Sequence, residues 1–128
     1  MGKIAQISES ELALMKIIWN HKNSALYADI MEQLANNGLD WKKSTVLTLL
    51  SRLMEKHMLG ITKIGRRNEY KALVSEEEYQ VEQTRHFVDK IYNGNITGLV
   101  SMLVHGTLVT EEDIEELRTF WERGKRHE

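Results

Sequence analysis

Two groups of side chains in this 128-residue chain have the types and spacing to hold a polyanion. The first is Ser44, Thr45, Thr48, Ser51, Arg52 and Lys56, with Lys42 and Lys43 just before them. At about 100° per residue, these short hydroxyls and cations gather on one side of a helix. Hydroxyls exchange hydrogen bonds with base edges, and cations seek phosphate oxygens. The second group is Gly65-Arg66-Arg67, read as a tight turn with two arginines at its tip. Taken alone, each also fits a plainer role, as a solvated helix face and a turn kept soluble by charge. Spacing for covalent or acid–base chemistry is missing: there is no glycine-rich phosphate loop, no HExxH and no nucleophile beside a recognisable base. The acidic runs Ser75–Glu78 and Glu111–Asp113 are spaced for helix capping, not for paired carboxylates in a cleft. Neither an enzyme nor a cofactor is expected. Cysteine is absent, which excludes disulfides and thiolate metal sites.

The elements that must position these groups are legible from periodicity. Trp41 to His57 reads as one amphipathic helix with Val46, Leu49, Leu50, Leu53, Met54 and His57 on its core side. Two helices are expected before it. The first opens at a Ser8–Glu11 capping box and buries Leu12, Met15, Ile18 and Trp19, with Leu14 and Ile17 broadening the face. The second spans Ala25 to Asn36 and stops at Asn37-Gly38. After the third helix, Leu59–Ile64 and Asn68–Val74 alternate like strands, with Ile61, Tyr70 and Ala72 as inward candidates. Three helices followed by a hairpin make a winged helix-turn-helix. Arg66 and Arg67 then fall beside the third helix, along a DNA backbone or in the minor groove.

Charge follows the same division. Residues 1–74 hold eleven Lys/Arg against seven Asp/Glu, and residues 75–128 hold six against twelve. A net charge of −2 therefore conceals a basic first half suited to nucleic acid. The second half reads as three further helices: Ser75 to Tyr92, Ile96 to His105, and one capped by Thr110. Their apolar residues, Val88, Ile91, Tyr92, Ile96, Leu99, Val100, Leu103, Ile114, Leu117 and Trp121, are many for about fifty residues that can bury little alone. A second copy of the chain is the simplest partner, and a two-fold dimer would match a palindromic operator. A monomer with its tail folded on its head is the alternative. The expected fold class is thus mostly α with a small antiparallel hairpin, divided into a DNA-binding domain (1–74) and a helical dimerisation domain (75–128). No stretch approaches the roughly eighteen apolar residues of a membrane span, so a cytoplasmic protein without membrane insertion is expected.

Taken together, these motifs resemble the BlaI/MecI/CopY family of penicillinase-type repressors. The match is carried by Gln6–Leu12 leading to Met15–Trp19, then by Trp41, Thr45-Val46 and Thr48–Leu53. Gly65-Arg66 with Tyr70, and Phe87 with Tyr92-Asn93-Gly94, complete it. The resemblance implies a homodimeric repressor of resistance or stress-response genes, β-lactam related, recognising TACA/TGTA-type half-sites. Carried over by position, it implies DNA contacts at Trp41, Lys42, Ser44, Thr45, Thr48 and Arg52, with Arg66 and Arg67 on the wing. It further implies a membrane-bound sensor protease that cuts an Asn-Phe bond, at the place where this chain reads Met102-Leu103. The copper-responsive members carry a Cys-x-Cys hook, which a chain without cysteine cannot form. The competing reading is a winged-helix adaptor that binds protein and has no specific affinity for DNA.

Overall fold

The computed structural model describes residues 4–126. The order is α1 (Glu9–Asn20), β1 (Ser24–Leu26), α2 (Tyr27–Asn36), α3 (Lys43–Glu55), β2 (Leu59–Ile64), β3 (Arg67–Ala72), α4 (Glu76–Tyr92), α5 (Ile96–His105) and α6 (Glu111–Arg126). The expected class holds, mostly α with a small antiparallel sheet. Two compact units divide the chain, Met1–Glu82 and Gln83–Glu128. No helix among the described residues is long and apolar enough to cross a membrane.

Three helices start with a reciprocal cap. The Ser8 N–H donates to Glu11 Oε1 at 2.8 Å while the Glu11 N–H donates to Ser8 Oγ at 3.1 Å. Ser75 with Glu78, and Thr110 with Asp113, repeat the arrangement. Each cap satisfies amide groups that the helix leaves without a partner.

The core of the first unit lies among α1, α2, α3 and the sheet. Leu14, Met15, Ile18, Ile30, Leu34, Val46, Leu50, Leu53 and Met58 are fully or almost fully buried in it. The Trp19 indole packs at 5.7 Å from the Tyr79 ring and donates its N–H to the Val74 carbonyl at 2.8 Å. That bond ties the first helix to the strand exit 55 residues later.

Several expectations need correction. The segment before α2 is not helical from Ala25. Ser24–Leu26 forms an edge strand against β3, Ala25 opposite Tyr70, so the sheet has three strands in the order β1-β3-β2. The third helix spans Lys43–Glu55, shorter than Trp41–His57, with Lys42 as its extended N-cap. His57 is exposed and adopts φ 61, where the chain reverses. The Met58 N–H returns to the Leu53 carbonyl at 2.9 Å and the His57 N–H to that of Met54 at 3.1 Å. These two bonds form a Schellman stop, and they place Met58 in the core where the periodicity had put His57. Ile61 faces the same side as Tyr70, its direct cross-strand partner, but it sits on the outer strand and stays 47% exposed.

The wing turn is tighter than expected. Ile64 pairs with Arg67, so the loop holds two residues, Gly65 and Arg66, and Arg67 is the first residue of β3. Gly65 has φ +62 whereas Arg66 has no positive φ, the sign pattern of a type II′ hairpin turn. A Cβ at Gly65 would meet nothing within 4 Å, so the penalty for any other residue is conformational alone. Gly65→Ala is therefore expected to cost about 1–2 kcal/mol, read from the midpoint of urea unfolding.

Candidate nucleic-acid interface

The exposed face of α3 follows from how the rest of the helix is buried. Val46, Leu49, Leu50 and Leu53 turn inward at the i, i+3, i+4, i+7 spacing. Ser44, Thr45, Thr48, Ser51 and Arg52 must then point to solvent, and all five are exposed. Lys42 and Lys43 stand exposed at the start of the helix. Trp41 precedes the helix and is only partly accessible, because its ring packs against the core. Lys56, placed on the polar face by periodicity, instead turns inward. Its Nζ donates to Glu11 Oε1 at 2.8 Å.

The wing comes up beside the same helix. Lys43, Leu47, Arg66, Arg67 and Asn68 share the walls of a cleft of about 580 Å³ with Leu26, Tyr27, Asp29 and Tyr70. The Lys43 ammonium lies 5.9 Å from the centre of the Tyr27 ring, which holds the charge near the cleft mouth by a cation–π contact. Lys42, Lys43, Arg52, Arg66 and Arg67 have no carboxylate within 4 Å among the described residues. Lys43, Arg66 and Arg67 thus form one cluster of cations without carboxylate partners, and Lys42 and Arg52 add two more at the start and on the far flank of α3. Asp29, the acid in the cleft, accepts the Leu26 N–H at 3.1 Å at the start of α2.

The tertiary structure thus brings Lys43 together with both wing arginines. It leaves Thr45 and Arg52 on the other flank of α3, more than a third of a turn from Leu47 by helix geometry. Leu47, Tyr27 and Asn68 belong to the same surface, and the sequence reading did not select them. Leu47 could have been found there, since it falls off the core stripe of its own helix. Tyr27 and Asn68 reach the cleft only through the packing of α2 and the pairing of β3.

The acceptor of the Lys56 bond is Glu11, on α1. It is 2% exposed. Burial pushes its carboxyl up, but the hydrogen bond from Lys56 and the bonds with Ser8 outweigh that and hold it below its ordinary value of 4.5. Its Oε2 has no hydrogen-bond partner among the described residues.

The second unit carries the apolar residues expected to pair chains. Of these, Val88 is buried, while Tyr92, Leu99 and Leu103 are partly covered. Ile91, Ile96, Val100, Ile114, Leu117 and Trp121 are exposed. No residue of α5 is buried, and every α6 side chain described is exposed. Met102 and Leu103 lie inside α5, with their carbonyls accepting from the N–H groups of Gly106 and Leu108 at 2.7 and 3.0 Å. No group of three or more His, Asp or Glu side chains among the described residues is arranged to hold a metal ion.

A tri-helical head, an arginine-bearing wing and a third helix with exposed hydroxyls and cations define a winged helix-turn-helix DNA-binding protein. The profile of the penicillinase repressor family matches residues 7–123, and the chain belongs to that family, whose members are transcriptional repressors and not enzymes. The penicillinase repressor of Bacillus licheniformis is 32% identical over 125 residues, covering 98% of this chain and 96% of its own length. The methicillin resistance regulatory protein MecI of Staphylococcus aureus (strain N315) is 31% identical over 117 residues, 91% of this chain and 94% of its own. The solution structure of the Bacillus licheniformis BlaI monomeric form in complex with the blaP half-operator is similar to this fold with a TM-score of 0.52. The two are 37% identical in sequence, and the match covers 62% of this chain and 94% of that one.

Proposed function

We propose that the chain is a homodimeric repressor that occupies a palindromic operator with TACA/TGTA-type half-sites in the promoters of resistance or stress-response genes, β-lactam related. The observation that carries this reading is the set of exposed cations Lys42, Lys43, Arg52, Arg66 and Arg67, none of them paired with a carboxylate among the described residues. It borders exposed hydroxyls on a helix of the right dimensions for the major groove. Thr45 and Thr48 read bases, each with a methyl and a hydroxyl to offer. Ser44 joins them at the helix start. Lys42, Lys43 and Arg52 anchor phosphates, and Arg66 and Arg67 lie along the backbone or minor groove. The Trp41 ring is committed to packing, so only its accessible edge touches DNA.

In this reading residues 1–74 bind DNA and residues 75–128 pair two chains. The solvent-facing apolar residues of α5 and α6 support the pairing, since helices without a core of their own need a partner. A membrane-bound sensor protease cutting at Met102-Leu103 would have to unwind α5 first, because both carbonyls are engaged in its hydrogen bonds.

The test compares a palindromic duplex carrying TACA/TGTA half-sites with a scrambled duplex, by fluorescence anisotropy at two salt concentrations. Specific binding at least about a thousandfold tighter than to the scrambled duplex is expected. Six to ten phosphate contacts imply a loss of about 10³- to 10⁵-fold between 50 and 200 mM salt. Equal affinity for the scrambled duplex would overturn the reading.

A further inference from the structure

The exposed positions of α3 are lysine, serine, threonine, arginine and glutamate, with one exception. Leu47 is 39% exposed. A lone leucine on a surface is ordinary; this one stands out by its neighbours. It lines the cleft beside Lys43, Arg66 and Arg67, three cations without ion-pair partners among the described residues, and precedes Thr48 in the same helix turn. Its isobutyl group therefore faces the surface that phosphates and base edges approach. Nothing in a phosphate, a sugar hydroxyl or an amino or carbonyl base edge rewards contact with a hydrocarbon branch. The major-groove edges of the four base pairs present one apolar group, the 5-methyl of thymine.

We infer that Leu47 forms a thymine-methyl subsite: its side chain packs on the 5-methyl group of one thymine in each bound half-site and discriminates against bases lacking that methyl. The inference rests on the DNA-binding reading and deepens it by naming the group that Leu47 recognises. The cations of the cleft rim hold the backbone on one side of that thymine, and Thr48 holds the neighbouring edge on the other. Thymine preference at that position then comes from hydrocarbon contact, with no hydrogen bond from Leu47 involved.

The test removes the methyl and nothing else. The full-length protein is titrated with a duplex carrying TACA/TGTA half-sites, or with the duplex enriched from a randomised library if that binds tighter. Thymines are replaced by deoxyuridine one symmetric pair at a time. Burial of one methyl predicts that a single thymine position loses about three- to tenfold in affinity per half-site. In Leu47→Ala that penalty should fall below about twofold while the penalties at other thymines stay as they were, the signature of a direct contact in a double-mutant cycle. Leu47→Met, which keeps an apolar side chain of similar volume, should retain the penalty. Alanine at an exposed helix position favours the helix, and circular dichroism checks that the variant is folded. A uridine penalty identical in wild type and Leu47→Ala at every thymine, or no uridine penalty in the wild type, overturns the inference while leaving the repressor reading intact. Failure of the wild type to distinguish any duplex from a scrambled one overturns both.

Discussion

The double variant Val100→Asp/Leu117→Asp is expected to sediment as a monomer and to lose at least about a hundredfold in affinity for the palindromic operator. Val100 and Leu117 are 51% and 60% exposed in the single chain, on helices none of whose described side chains is buried. If a second copy covers them, each aliphatic side chain contributes about 1.5–3 kcal/mol on burial. A two-fold interface repeats each contact. A carboxylate in that interface adds the cost of desolvating a charge without a partner. Losing the dimer turns one bivalent binding event into two independent ones, which forfeits about 10²- to 10⁴-fold in avidity. Affinity for a duplex carrying one half-site should stay within about twofold, because the DNA-facing residues lie in the other unit. That second readout separates loss of pairing from loss of folding. Val100→Leu/Leu117→Ile, which keeps the apolar character, should remain dimeric. A double aspartate variant that still sediments as a dimer and binds the palindrome normally would remove the basis for pairing through α5 and α6.

The second large effect belongs to the buried ion pair. Lys56→Met is expected to lower the stability of the first unit by about 2–3 kcal/mol at neutral pH, measured by urea unfolding. The Glu11 carboxylate is almost fully buried, and its Oε1 accepts from Lys56 at 2.8 Å. Removing the lysine leaves a buried charge with the Ser8 N–H as its remaining hydrogen bond. Removing one partner of a buried pair costs about 3–5 kcal/mol. The lower figure applies because the Lys56 side chain is 34% exposed and its charge is partly screened by water. The pH dependence follows from the depressed Glu11 carboxyl. In the wild type its contribution is complete above the ordinary value of 4.5 and is lost as the pH falls through the depressed folded value. In Lys56→Met both lowering effects of the lysine are gone, so the carboxyl lies higher than in the wild type and protonation relieves the variant. The gap between the two proteins should therefore narrow on acidification below neutrality. A gap that is constant with pH would show that the pair does not govern stability.

The two effects differ in how far they were visible from residues alone. That α5 and α6 carry more apolar surface than they bury was readable from periodicity, because one helix face is set by a few residues in succession. The Glu11–Lys56 pair was not. Periodicity put Lys56 on the polar face with the DNA-facing cations, and Glu11 read only as the second half of a cap. The cap is real, and the same carboxylate that serves it also receives a lysine 45 residues later. His57 and Met58 show the same kind of error at shorter range. A strict 3.6-residue count continues a stripe past the helix end, whereas the Schellman reversal at His57 restarts the count and buries Met58. The β1 strand escaped notice because three residues show too little alternation to separate a strand from the first turn of a helix.

The polar face of Ser44, Thr45, Thr48, Ser51 and Arg52 was determined by sequence alone, as were the capping boxes at Ser8 and Ser75, the Thr110 cap and the glycine at the wing turn. Each depends on bonds or angles spanning at most four residues, and such local geometry is written in residue type and spacing. Three things were decided only by the tertiary structure. Lys56 leaves the polar face for Glu11, Arg67 leaves the turn tip for the first pair of β3, and Leu47 joins Lys43 and the wing arginines around one cleft. The Lys56 and Leu47 outcomes depend on which distant segments pack together, and one-dimensional spacing carries no distance between them; Arg67 depends on the hairpin register, which residue types near the turn leave open by one position.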